Sequence, residues 1–135
     1  MATSSIRVLV VDDFEPFRRL ACSILENRQN LQVICEASDG LRAVQKAQEL
    51  KPDLILLDLG LPTLNGFAAA RRIRELSPES KILFVSIESS QDLVREAFSS
   101  GALGYVSKTR VGIDLLAAVE AVLDGRRFVS DGVSG

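Results

Sequence analysis

The chain has 135 residues, 47% hydrophobic and 25% charged, the balance of a single globular domain and far from that of a disordered segment. Sixteen Lys and Arg stand against 18 Asp and Glu, a net charge of −2, which argues against direct binding of nucleic acid through a basic face. Histidine is absent, which excludes His-ligated metals, Ser-His and Cys-His nucleophile pairs, and a phosphohistidine carried by this chain.

Along the chain, short apolar runs alternate with helical patterns. Residues 1–5 read as a flexible start with no basic stretch leading into an apolar one, so no export signal is expected and the reading is cytoplasmic. Ile6–Val11 is the first β-branched run, and Asp12-Asp13 follows it. Phe17, Leu20, Ala21, Ile24 and Leu25 then form one apolar helical stripe, and Asp12 and Glu15 have the spacing of a capping box. Leu31–Cys35 is the second run; Ser38-Asp39-Gly40 supplies cap and turn residues for a helix through Leu41, Val44 and Ala47. Leu54–Leu57 leads to Asp58, and a helix over Phe67–Leu76 follows Gly66. Ile82–Val85 leads to Ser86, and Leu93, Val94, Ala97 and Phe98 make the next stripe. Gly104–Val106 precedes Lys108, and Leu115, Leu116, Val119, Val122 and Leu123 make the last helix. Cys22 and Cys35 are read as reduced, small core residues. No run approaches the roughly 18 apolar residues of a membrane span.

Strand and helix alternate five times, which predicts an α/β, flavodoxin-like (βα)5 doubly wound parallel sheet with strand order 2-1-3-4-5. Near-continuous apolar strands belong in a sheet covered on both faces. The domain is expected over 6–124, with 125–135 beginning a linker to an output domain. In such sheets ligands bind beyond the carboxyl ends of the strands, at the switch point between strands 1 and 3.

The residues expected at that edge are Asp12, Asp13, Asp58, Ser86 and Lys108. Clustered carboxylates repel, and a hard cation with oxygen ligands, Mg²⁺ above all, relieves them. A lysine and a hydroxyl opposite could hold phosphoryl oxygens. Phosphoryl transfer asks for this set, and Asp58, on the central strand, is the candidate acceptor. Each residue alone has a plainer explanation: a helix cap for Asp12 or Asp13, a turn residue for Asp58, a solvated cation for Lys108, a core aromatic for Tyr105. Their coincidence at one sheet edge is what folding alone does not require.

These residues resemble a family. Val8-Leu9-Val10-Val11-Asp12-Asp13, the loop Asp58-Leu59-Gly60-Leu61-Pro62-Thr63-Leu64-Asn65-Gly66, Ser86, and Gly101-Ala102-Leu103-Gly104-Tyr105-Val106-Ser107-Lys108 are similar to the receiver domains of bacterial two-component response regulators, over essentially 6–124. The resemblance implies that Asp58 takes a phosphoryl group from a sensor histidine kinase. It implies that Asp13, Asp58 and the Gly60 carbonyl ligate Mg²⁺, with Asp12 helping through water. Lys108 would contact the phosphoryl group, Ser86 would move to bond it, and Tyr105 would swing inward, altering the face made by helix 4, strand 5 and helix 5. Leu123-Asp124-Gly125-Arg126-Arg127-Phe128-Val129-Ser130 is similar to the exit from receivers of the NarL/LuxR type, which implies transcriptional output through a helix-turn-helix domain beyond this chain.

One departure stands out. Ile87 follows Ser86 where the family usually has a small residue, and Glu88 follows it. The resemblance implies that Glu88 and Gly60 sit where receivers tune their dephosphorylation and that Ile87 narrows access, so modification by small anionic donors is expected to be slower than in a receiver with Ala at position 87. The apolar surplus of the last helix reads as a homodimer contact. Three other readings compete. A degenerate or stand-alone receiver would only bind partners. A Mg-dependent aspartyl phosphatase wants Asp-x-Asp where this chain has Asp13-Phe14-Glu15. A flavodoxin-like cofactor binder would need a phosphate-cradling first loop, and Asp12-Asp13-Phe14-Glu15 repels phosphate.

Overall fold

A computed structural model describes residues 5–88 and 90–130. Residues 1–4 of the expected flexible start, and 131–135 of the expected linker, lie outside the described residues. The elements are β1 (Ile6–Val11), α1 (Glu15–Glu26), β2 (Leu31–Ala37), α2 (Gly40–Leu50), β3 (Leu54–Leu57), α3 (Gly66–Leu76), β4 (Lys81–Ser86), α4 (Gln91–Ser99), β5 (Gly104–Ser107), α5 (Val111–Leu123) and β6 (Phe128–Val129). The sheet order is β2-β1-β3-β4-β5-β6 with every pairing parallel, so the expected 2-1-3-4-5 order holds and gains a sixth strand.

Period-two alternation along each strand splits the core in two. Leu9, Val11, Ile55, Leu57, Ile82, Phe84 and Tyr105 face one side and are covered by α2, α3 and α4 through residues such as Ala43, Ile73 and Ala97. Val8, Val10, Leu54, Leu56, Leu83, Val85 and Val106 face the other, under α1 and α5 through Leu25, Leu115 and Val122. Cys22 belongs to this second layer whereas Cys35 packs against the first, so the sheet separates the two free thiols. Burial pushes the Cys22 thiol up to about 11, which keeps it protonated and unreactive at neutral pH.

α5 differs from its appearance as a sequence. Leu115, Ala118, Val119, Ala121 and Val122 are all buried, and Ile113 is its one large apolar side chain left exposed. Part of the apolarity that pointed to a dimer contact packs inside the domain, where α5 lies against β4, β5, β6 and α1, while Leu116 and Leu123 are half-buried.

The sheet also runs beyond Asp124, into the segment expected to begin a linker. Gly125 (φ +80°) stops α5: its amide donates to Val122 and the Arg126 amide to Ala121 at 2.8 Å, the paired bonds of a glycine-terminated helix. The chain then returns along the edge of β5, with the Phe128 amide donating to Leu103 and the Ser130 amide to Tyr105.

Candidate functional site

β1 and β3 are adjacent, so the residues that follow them meet at the sheet's carboxyl edge. Asp12, Asp13 and Asp58 each bring a carboxylate oxygen within 4.8 Å of the others. The capping box expected from Asp12 and Glu15 does not form: Phe14 is the N-cap residue of α1 and no side chain caps it. Pro16 in the first turn lowers that need, since it has no amide to satisfy. Asp12 instead accepts from the Phe14 amide at 2.9 Å through Oδ1. Its Oδ2 lies 2.6 Å from Lys108 Nζ.

Lys108 arrives from the far side of the sheet, just after β5. Its amine also lies 3.5 Å from Asp58 Oδ2 and 4.4 Å from the centre of the Phe17 ring. One amine thus pairs with two of the three clustered carboxylates. Burial holds the Asp58 carboxyl above the ordinary carboxylate range, and the Asp12 charge adds to it; Lys108 and the Leu59 amide, 2.8 Å from Asp58 Oδ1, pull the other way. The donors are all hard oxygens, and their crowding is what a divalent cation would relieve, so the cluster fits Mg²⁺. Gly60 is exposed beside it, and a Cβ there would meet nothing within 4 Å. With no side chain, it could contribute a metal ligand only through its backbone carbonyl.

Gly66 is required for another reason. A Cβ on it would fall 2.3 Å from the Asp58 carbonyl oxygen, so only glycine lets α3 begin directly against the end of β3. Asn65 caps that helix by accepting from the Ala68 amide at 3.0 Å.

Ser86 is buried at the end of β4, and its Oγ accepts from the Glu88 amide at 3.1 Å. The Tyr105 hydroxyl donates to the Glu88 carbonyl at 2.7 Å, and its ring is fully buried. The inward swing implied for Tyr105 therefore meets a ring that already lies inside: burial of the aromatic body is favourable, and the Glu88 carbonyl satisfies its polar tip. Asp13, Phe14, Phe17, Asp58, Ile87 and Lys108 line a cleft of about 560 Å³, with Ile87 73% exposed at its rim.

The structure thus brings Asp12, Asp13, Asp58 and Lys108 together, with Ser86 and Tyr105 joined one strand away through Glu88. Sequence reasoning missed Arg18. Its Nη1 donates to the Asp12 carbonyl at 2.9 Å while its Nε pairs with Glu36 at 2.8 Å, tying α1 and β2 to the acidic turn. Nothing in the order of residues distinguished it from the adjacent Arg19, whose side chain is 76% exposed.

Comparison with known proteins agrees with this geometry. The response regulator receiver domain model matches residues 8–120. The response regulator GacA of Pseudomonas viridiflava is 33% identical over 125 residues, 93% of this chain and 58% of that protein. The transcriptional regulatory protein LiaR of Bacillus subtilis is 37% identical over 131 residues, 96% of this chain and 62% of that protein. A crystal structure of a LuxR-family two-component response regulator from Aurantimonas superposes with a TM-score of 0.91 at 34% identity, covering 96% of this chain and 93% of that one. The chain spans about three-fifths of the length of these curated relatives. With the sheet order, the acidic edge and the family match in agreement, the chain belongs to the response regulator receiver domains, of the NarL/LuxR type.

Proposed function

We propose that this receiver accepts a phosphoryl group on Asp58 from the phosphohistidine of a sensor kinase, and that the result controls transcription through a separate output domain. The observation that carries the reading is the Asp58 carboxylate, held at the end of β3 between two further carboxylates and the Lys108 amine. In the step proposed, an Asp58 carboxylate oxygen attacks phosphorus, the P–N bond of the donor breaks, and the imidazole leaves and takes a proton from solvent. Asp13, Asp58 and the Gly60 carbonyl would hold Mg²⁺. When bound, it supplies the positive charge that lets carboxylates and phosphoryl oxygens share one cleft. Lys108 gives up part of its pairing with Asp12 and Asp58 to bond phosphoryl oxygen, a charge-assisted contact at the same edge.

Ser86 and Tyr105 form the readout. Both hold Glu88, one through its amide and the other through its carbonyl. A Ser86 hydroxyl that turns to the phosphoryl group releases the Glu88 amide and frees the β4–α4 connection to rearrange. Two arrangements of one segment, biased by a local charge, are sufficient for a switch. The chain assists its own modification and its loss without turning over a substrate. The kinase is its protein partner, and DNA is reached only through the output domain. No described helix is long and apolar enough to cross a membrane.

The test is the intact mass after incubation with acetyl phosphate and Mg²⁺. The parent gains one phosphoryl group and Asp58→Asn gains none. Equal gain by the variant would remove Asp58 from the role.

A further inference from the structure

The loop between β3 and α3 contains a backbone conformation that its residue disfavours. Thr63 has φ +65°, in the left-handed region, where a β-branched side chain is an outlier because its Cβ crowds the following carbonyl oxygen. Glycine would adopt the same conformation freely. The threonine hydroxyl, however, makes two bonds. It donates to Asp39 Oδ1 at 3.0 Å and accepts from the Leu41 amide at 3.1 Å. The same Asp39 oxygen caps α2 by accepting from the Arg42 amide at 2.9 Å.

The backbones reinforce the link. The Gly40 amide donates to the Pro62 carbonyl at 3.0 Å. A Cβ on Gly40 would lie 1.8 Å from the Leu64 carbonyl oxygen, so α2 begins directly on the loop. At the loop's base, the Gly66 amide donates to the Leu59 carbonyl at 2.8 Å. Gly60 and Leu61 are therefore strung between a closed base and a tip fastened to α2.

We propose that Thr63 is a positioning residue: its hydroxyl, latched to Asp39, holds the acceptor loop in the conformation that sets the Gly60 carbonyl beside Asp58. The strain at Thr63 is tolerated because the hydroxyl that accompanies it is needed. This rests on the reading of Asp58 and Gly60 as parts of a Mg²⁺-assisted acceptor site.

Two substitutions in the 135-residue chain separate positioning from mere stability. Thr63→Gly relieves the backbone strain and removes the hydroxyl, whereas Thr63→Ser keeps the hydroxyl. Amide hydrogen exchange of the metal-free protein reads the latch directly. Exchange at Gly40 and Leu41 rises about fivefold or more in Thr63→Gly, the equivalent of roughly one hydrogen bond, and stays near the parent rate in Thr63→Ser. Calorimetric titration with Mg²⁺ reads the consequence: affinity falls by about fivefold in Thr63→Gly and is restored in Thr63→Ser. Unchanged exchange in Thr63→Gly overturns the latch. Faster exchange with unchanged Mg²⁺ affinity overturns the positioning role and leaves Thr63 an ordinary helix-capping partner. A parent protein that binds no Mg²⁺ overturns both the metal reading and the positioning of Gly60 for it, while the exchange rates still decide the latch.

Discussion

Glu88 is the residue at which two side chains meet, Ser86 on its amide and Tyr105 on its carbonyl. The apolar ring in a strand explains why Tyr105 is inside, but the acceptor of its hydroxyl lies 17 residues earlier and could not be read in advance. Burial pushes the Tyr105 phenol above its ordinary value of 10, against a smaller opposing effect of Ser86. Because the folded state holds that proton more tightly than the unfolded chain does, the stabilisation is complete below about pH 10 and is lost as pH rises through the raised value. Tyr105 is the only tyrosine, so absorbance at the phenolate band reports it alone. We expect a midpoint above 10 in the native protein and near 10 in denaturant. Ile87 is a second residue with a measurable consequence. Ile87 lines the rim of the cleft and, on the proposed function, restricts entry of small donors, so Ile87→Ala should raise the rate with acetyl phosphate by roughly threefold or more, about 0.7 kcal/mol of barrier. An unchanged rate would show that the rim does not limit access.

At the level of elements, the β-branched runs marked where strands lie, and the boundaries moved by one or two residues where polar termini take part in the ladder. β2 extends through Glu36 and Ala37, and β4 takes in Lys81 and Ser86, because backbone pairing continues past the last apolar residue. β6 was not legible: two residues after a Gly-Arg-Arg stretch carry no periodicity, and only the open edge of β5 makes them a strand. Asp39 as the cap of α2 could be read locally, since an Asx cap uses an amide three residues on. The failed cap at Asp12 could not, because α1 begins later than the spacing suggested, with Phe14 as its N-cap, and Asp12 turns its second oxygen to Lys108. Two glycines test how closely the elements approach. Gly66→Ala should lower stability by about 2 kcal/mol or more through its clash with the Asp58 carbonyl. Gly112→Ala, in α5 with nothing within 4 Å of the new carbon, should raise it by about 0.5 kcal/mol. Urea midpoints check both, and equal effects would contradict the close approach of α3 to β3.

For the molecule as a whole, strand alternation divides the hydrophobic content into two layers, and the acidic cluster with its lysine lies at the carboxyl edge of the sheet between them. The order of strands and the identity of the acidic edge followed from the sequence because parallel crossovers are right-handed and ligands gather beyond the strand ends. The interplay within that edge did not follow, since the pairing of Lys108 with both Asp12 and Asp58 joins residues 96 and 50 positions apart. The most direct measurement of the central claim traps the modified group itself. The protein is treated with acetyl phosphate and Mg²⁺, reduced with borohydride, and digested for peptide mass mapping. An acyl phosphate on Asp58 is converted by that reduction to homoserine at position 58, which is the result this account predicts. Homoserine at Asp12 or Asp13, or a phosphate ester surviving on Ser86, would contradict it.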